Sequence, residues 1–95
     1  MGIQPQRERV LVTGASSGIG EAFVRWHAAR GSDVVLAARD ATQLQRVAAD
    51  ARALGASAEV IVADLSTAAG VDELVRRCGE IDVLVANAGI THASS

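Results

Sequence analysis

Four short apolar runs, separated by longer amphipathic segments, constrain the fold of this chain more than any other feature of its sequence. The runs occupy residues 10–12, 34–38, 60–63 and 83–86, and each is continuous and rich in β-branched residues. Continuous runs of this kind are typical of strands buried on both faces of a sheet. The segments between them are too long for hairpins and suit the helical crossovers that join parallel strands. The sequence therefore predicts a doubly wound α/β fold with a parallel sheet.

Three helices are predicted between the strands, because apolar residues there recur at helical spacing. We expect these stripes to pack on the sheet: Ile19, Ala22, Phe23 and Trp26; then Leu44, Val47, Ala48 and Ala51; then Val71, Leu74, Val75 and Cys78. A glycine follows each predicted helix, where a positive φ ends the helix without steric cost: Gly31, Gly55 and Gly79. Asp40 and Ser66 are the expected N-caps of the second and third helices.

Charge and aromatic content disfavour two classes of partner. The net charge is −2, nine basic residues are scattered among eleven acids, and only Phe23 and Trp26 are aromatic. Such a chain offers no basic stripe or stacking platform to nucleic acid. No apolar run approaches the ~20 residues of a membrane span. We therefore expect neither a nucleic-acid nor a membrane partner.

The cysteine and histidine content bears on compartment and metal binding. Cys78 is the only cysteine and cannot form an internal disulfide, and residues 1–7 form a polar leader without the apolar segment of a secretory signal. We expect a cytoplasmic protein. Cys78, His27 and His92 do not have the spacing of an ordinary metal site, so no metal is expected.

A glycine-rich segment, residues 13–20, follows the first strand and opens the first helix. Glycines at such a turn let an anionic group approach the N–H groups of a helix N-terminus, which predicts a cradle for a diphosphate. Gly14-x-Ser16-x-Gly18 also fits the nucleophile elbow of a serine hydrolase. That alternative is remote, because only one strand precedes the turn, His27 lies on the adjoining helix and no partner acid can be placed.

Three motifs in this order resemble the short-chain dehydrogenase/reductase family over nearly the whole chain. They are Thr-Gly-x-x-x-Gly-x-Gly at residues 13–20, Asp64-Leu65 after the third strand, and Asn87-Ala88-Gly89 after the fourth. The resemblance implies a Rossmann sheet with strand order 3-2-1-4 and a nicotinamide dinucleotide across the carboxyl ends of the strands. One departure is Ala86, where the family often has a second asparagine.

The resemblance also implies roles for individual residues at a cofactor site. The turn would be shaped by Gly14, Gly18 and Gly20, and the adenosine ribose and diphosphate would be lined by Ser16, Ser17 and Ile19. Asp64 would accept a hydrogen bond from the adenine amino group, with the backbone of Leu65 beside it. The far side would be closed by Asn87, Ala88 and Gly89. Thr13 is expected to tie the first strand to the fourth.

The end of the second strand bears on the choice between NADP(H) and NAD(H). An acid there would bind the free 2′-hydroxyl and repel a 2′-phosphate. Ala38 stands where NAD-preferring relatives carry aspartate, and Arg39 follows it. Arginine forms charge-assisted hydrogen bonds to phosphate, each worth about 1.5–3 kcal/mol. NADP(H) is therefore expected and NAD(H) is less favoured, the alternative being a solvated Arg39 paired with Asp40 or Asp33.

The family's catalysis uses a serine and a tyrosine followed four residues later by a lysine, whereas this sequence has no tyrosine and its nine basic residues are all arginine. The resemblance therefore implies that residues 1–95 are the N-terminal part of a single NAD(P)-binding domain, truncated after the fourth strand and inactive alone. The parent would be an NADP(H)-dependent oxidoreductase acting on an alcohol/carbonyl pair of a small molecule, and a homo-oligomer. A non-catalytic dinucleotide-binding half-domain stays open as an alternative, and no catalytic residue is assigned.

Overall fold

The computed structural model describes residues 7–87, which form a four-stranded parallel sheet with three helices. The elements follow the predicted order: β1 (Arg9–Thr13), α1 (Gly18–Ala29), β2 (Asp33–Ala38), α2 (Ala41–Ala53), β3 (Ala58–Val62), α3 (Ala68–Cys78) and β4 (Val83–Ala86). The strand order is β3-β2-β1-β4, which confirms the expected doubly wound, Rossmann-type arrangement.

The register brings the carboxyl ends of the strands to one edge of the sheet. Thr13 at the end of β1 pairs with Ala37 on one side and with Ala86 on the other, and Ala38 pairs with Val62. The loops that follow the strands therefore meet at this edge. Segments far apart in sequence are brought together there, as the rule for open α/β sheets requires.

Helices cover both faces of the sheet and create two cores. On one face α1 and α2 pack on β1 and β2, with core residues that include Val10, Val12, Leu36, Leu44 and Val47, all fully buried. On the other face α3 packs through Leu74 and Cys78 on residues that include Leu11, Val35 and Ile61. The stripe predicted for α2 is confirmed, because all four of its residues are fully buried.

The stripe predicted for α1 is wrong. Ile19, Phe23 and Trp26 are 64%, 42% and 54% exposed, and α1 is buried through Gly20, Val24 and Ala28. The reason is the distance between helix and sheet, since a side chain on Gly20 would overlap the carbonyl of the preceding turn. Only a stripe of small residues fits this close packing. Trp26 instead lies beneath the Arg30 guanidinium, 4.5 Å from the ring centroid.

Two further predictions fail, one about the edge strands of the sheet and one about the apolar stripe of α3. Leu84 on β4 is 59% exposed and Val62 on β3 is 43% exposed. Within residues 7–87, burial on both faces therefore holds for β1 and β2 and not for the edge strands β3 and β4. On α3, Leu74 and Cys78 are buried as expected, whereas Val71 and Val75 are exposed.

The helix ends follow the predicted chemistry with one exception. Asp40 caps α2 by accepting from the Gln43 N–H at 3.0 Å. The N-cap of α3 is Thr67 and not Ser66, whose N–H and hydroxyl bind the Asp64 carboxylate instead. The three predicted terminal glycines adopt φ of 89°, 96° and 69°, which confirms them: Gly31, Gly55 and Gly79. None of the helices described is long and apolar enough to cross a bilayer.

Candidate functional site

A cleft of about 820 Å³ opens at the carboxyl edge of the sheet, a volume within the range of ligand-binding pockets. The ends of β1, β2 and β3 and the loops after them form its walls. Its lining residues are Thr13, Gly14, Ser16, Ala38, Arg39, Asp40, Ala63, Asp64, Leu65 and Ser66. The structure thus brings together five of the predicted site residues: Gly14, Ser16, Arg39, Asp64 and Leu65.

The glycine-rich turn holds the N-terminus of α1 open toward solvent. Ser17 is the N-cap: its N–H and its hydroxyl both donate to the Gly14 carbonyl, at 3.1 and 2.9 Å, and its oxygen accepts from the Gly20 N–H at 3.3 Å. The N–H groups of Gly18 and Ile19 have no hydrogen-bond partner within residues 7–87. Unpaired donors at the positive end of a helix dipole are suited to an anion.

The three glycines of this turn serve different physical purposes. Gly14 has φ of 64°, which side-chain-bearing residues rarely adopt. Gly20 is needed for close packing, because a Cβ there would overlap the Gly14 carbonyl. A Cβ on Gly18 would meet nothing within 4 Å, so Gly18 leaves the side of the first helical turn open.

The side chain of Asn87 fastens the turn to the end of β4. Its Nδ2 donates to the Gly14 carbonyl at 3.1 Å and to the Ser17 Oγ at 2.8 Å. Its backbone N–H donates to the Thr13 Oγ1 at 3.1 Å, which confirms that Thr13 ties the first strand to the fourth. The Ser17 hydroxyl thereby uses its donor and both its acceptor positions inside the protein. Its contact with a cofactor stays a prediction.

Asp64 supplies a negative charge at the β3 side of the cleft. Its Oδ1 accepts from the Ser66 hydroxyl at 2.6 Å and from the Ser66 N–H at 3.0 Å. These two bonds, assisted by the charge of Arg39, lower the pKa of Asp64 below its ordinary value. The carboxylate is therefore ionised at neutral pH. Its Oδ2 has no hydrogen-bond partner among the residues described, which leaves an acceptor for a ligand amino group.

Arg39 supplies a positive charge in the same cleft, at the end of β2. It is exposed, and no acidic side chain within residues 7–87 forms an ion pair with it. The two acids that could have paired with it are engaged elsewhere, Asp33 with Arg7 at 3.3 Å and Asp40 in capping α2. Arg39 is therefore solvated, as that alternative has it, but it is not paired with either acid.

Not every predicted residue lies at the cleft. Two predicted site residues, Gly18 and Ile19, line a separate apolar groove of about 480 Å³ on α1, together with Phe23, Trp26 and His27. Ala88 and Gly89 lie outside the described residues.

The cleft that contains Ser16 is lined by no histidine of residues 7–87, which leaves the serine-hydrolase alternative without a base there. In that same part of the chain, no three His, Cys, Asp or Glu residues cluster to hold a metal ion.

Sequence reasoning missed how the site residues are supported. The bond between Asn87 and Ser17 joins two predicted residues that are 70 positions apart, and no local pattern signals it. The bonds from Ser66 to Asp64 could have been found, because an Asp followed two residues later by a polar residue is a common turn signal. The competing expectation that Ser66 caps α3 concealed it.

Comparison with known proteins agrees with this geometry. The family model of the short chain dehydrogenases matches residues 8–95. An 11-beta-hydroxysteroid dehydrogenase A of Sesamum indicum is 49% identical over 90 residues, which are 90% of this chain and 26% of that protein. The chain thus spans about a quarter of that relative's length.

Two solved structures show the same fold with different cofactors. An alcohol dehydrogenase of the archaeon Thermococcus sibiricus, complexed with 5-hydroxy-NADP, has a TM-score of 0.75 and 33% identity and covers 83% of this chain and 36% of its own. An NAD+-bound xylitol dehydrogenase has a TM-score of 0.72 and 32% identity, and the match covers 81% of this chain and 31% of that dehydrogenase. The fold, the converging motifs and the family match together place this chain in the short-chain dehydrogenase/reductase family of oxidoreductases.

Proposed function

We propose that the cleft binds NADP(H) and that this chain is the cofactor-binding part of an NADP(H)-dependent oxidoreductase acting on an alcohol/carbonyl pair. The observation that carries the proposal is Arg39, a cation that lines the cleft at the end of β2 without an acidic partner among the residues described. A carboxylate at this point of a dinucleotide fold would repel a 2′-phosphate. Here Ala38 and Arg39 occupy it.

The residues present fit the rest of a dinucleotide. The unpaired N–H groups of Gly18 and Ile19 at the start of α1 would bind the diphosphate. Asp64 Oδ2 would accept from the adenine amino group, beside Leu65. Ser16 would lie along the adenosine ribose. Asn87 would hold the turn in place, and the predicted roles of Ala88 and Gly89 on the far side stay part of this proposal.

The chemistry itself is shared between the cofactor and the parent protein. A nicotinamide supplies or accepts the hydride when it is bound. The residues of this chain bind and orient the cofactor. The glycine-rich turn binds the diphosphate, Arg39 favours an adenosine ribose that carries a 2′-phosphate, and Asp64 binds the adenine. The sequence contains no tyrosine and no lysine, so no catalytic residue is proposed within it. Homo-oligomeric assembly and a cytoplasmic location stay predictions.

A charge-removal experiment tests the proposal. Arg39→Gln keeps a polar side chain but removes the charge, and Arg76→Gln removes an arginine from the end of α3, which is not part of the cleft. We expect Arg39→Gln to weaken NADP+ binding about tenfold to a hundredfold by calorimetric titration, since each lost charge-assisted bond is worth about 1.5–3 kcal/mol. NAD+ binding should be unchanged, as should both affinities in Arg76→Gln. An equal loss for both nucleotides, or no loss for either, would contradict the proposal.

A further inference from the structure

The turn between β3 and α3 repeats the construction of the glycine-rich turn. In the first turn Ser17 donates twice to the Gly14 carbonyl and accepts from the Gly20 N–H. In the later turn Thr67 donates to the Asp64 carbonyl through its N–H at 3.2 Å and its hydroxyl at 3.0 Å. The same hydroxyl accepts from the Gly70 N–H at 2.9 Å. Both turns place a carbonyl, a hydroxyl cap and a glycine at intervals of three residues.

The close packing of the helix is repeated as well. A Cβ on Gly70 would overlap the Asp64 carbonyl oxygen and lie 2.5 Å from its carbon, as a Cβ on Gly20 would overlap the Gly14 carbonyl. Neither overlapped group is a flexible side-chain end, so any substitution at these glycines has to move backbone. The N-terminus of α3 therefore lies directly against the backbone of Asp64.

One difference between the turns gives the second one its use. Gly14 has a positive φ, whereas no residue other than glycine does among those described, so Asp64 stands at the equivalent position in an ordinary conformation. That position can therefore carry a side chain. The second turn presents a carboxylate to the cleft at the place where the first turn has no side chain.

We propose that Thr67 and Gly70 are positioning residues that hold the Asp64 carboxylate where it accepts the adenine amino group of the dinucleotide. This inference rests on the proposed function. Thr67 fixes the Asp64 carbonyl and Gly70 lets α3 begin against it, so that Ser66 stays within hydrogen-bond distance of Oδ1. Displacing the start of α3 would move the Asp64 backbone away from Ser66. The family motif at this point, Asp64-Leu65, includes neither residue.

Two pairs of variants separate positioning from general damage. Thr67→Val removes the hydroxyl at nearly constant shape, and Thr67→Ser retains it. Gly70→Ala introduces the overlap, and Ala69→Gly weakens α3 in the same exposed turn through helix propensity without touching Asp64. If Gly70→Ala does not fold, the Thr67 pair alone decides the question.

The first readout needs no ligand. Carbon-detected NMR titration of the Asp64 carboxyl in the 95-residue chain measures its pKa, with Arg39 and Asp40 as the other charged groups lining that cleft. We expect a depressed Asp64 pKa in the unsubstituted 95-residue chain, in Thr67→Ser and in Ala69→Gly. In Thr67→Val and Gly70→Ala the pKa should rise toward the ordinary value, because Ser66 no longer stabilises the carboxylate.

The second readout compares NADPH with its hypoxanthine analogue, in which a carbonyl oxygen replaces the adenine amino group. The unsubstituted 95-residue chain should bind NADPH more tightly than the analogue, and Thr67→Val and Gly70→Ala should reduce that preference about tenfold. An unshifted Asp64 pKa with both nucleotides weakened equally would overturn the inference. If the unsubstituted 95-residue chain binds neither nucleotide, the proposed function fails. An Asp64 pKa that does not move in Thr67→Val would then overturn the positioning role separately.

Discussion

The bond between Asn87 and Ser17 gives the most detailed prediction, because it joins the first and last parts of the site. Asn87→Ala removes two hydrogen bonds donated by Nδ2, to the Gly14 carbonyl and to the Ser17 Oγ. Net contributions of about 0.5–1.5 kcal/mol each give an expected loss of about 1–3 kcal/mol in the free energy of unfolding. Both acceptors keep other donors, from Ser17 and from the Gly20 N–H, so the loss should lie in the lower half of that range.

A double-mutant cycle isolates the shared bond. Ser17→Ala alone removes the N-cap of α1 and should cost about 0.5–2 kcal/mol. In the double variant the Asn87–Ser17 bond is removed only once, so the two losses should sum to more than the double variant's loss by about 0.5–1.5 kcal/mol. Urea unfolding, followed by the fluorescence of Trp26, measures all four corners. Additivity within about 0.3 kcal/mol would refute the coupling of the turn to β4.

Three further outcomes follow from the structure. Gly20→Ala should lower the free energy of unfolding by about 1–3 kcal/mol because its Cβ overlaps backbone, whereas Gly18→Ala should not lower it, by thermal denaturation. Phe23→Ala should cost less than about 1.5 kcal/mol in the same assay, because that ring is 42% exposed; a loss typical of a core aromatic would restore the rejected stripe. The depressed pKa of Asp64 stabilises the fold above the unfolded pKa, and this stability is lost as pH falls through the folded pKa. Thermal denaturation should therefore show Ser66→Ala to be less stable than the unsubstituted chain at neutral pH and equally stable at a pH below both pKa values.

The order of elements was predictable because it depends on short-range patterns. Continuous apolar runs identified the strands, and the motifs after β1, β3 and β4 indicated the sheet order through a family resemblance. The N-cap Asp40 and the positive φ of Gly31 were likewise local consequences of residue type. The convergence of Gly14 and Asp64 at one cleft then follows from the parallel register.

What could not be predicted depends on distances that only the folded chain sets. α1 has two candidate stripes, and the choice between them is made by the close approach of Gly20 to Gly14, which favours small residues over Phe23. The exposed Leu84 reflects the position of β4 at the edge of the described sheet and not its composition. Hydrogen bonds between distant residues, such as that from Asn87, leave no local pattern in the sequence.

The most direct test of the central claim is the position at which NADP+ binds. Titration of the 15N-labelled 95-residue chain with NADP+ reports each backbone amide separately. We expect saturable shifts at Arg39, Asp64 and Leu65, which line the cleft at the carboxyl edge of the sheet, together with shifts at the N–H groups of Gly18 and Ile19 at the start of α1. No shifts, or shifts confined to the α1 groove that Gly18 and Ile19 share with Trp26, would contradict the account.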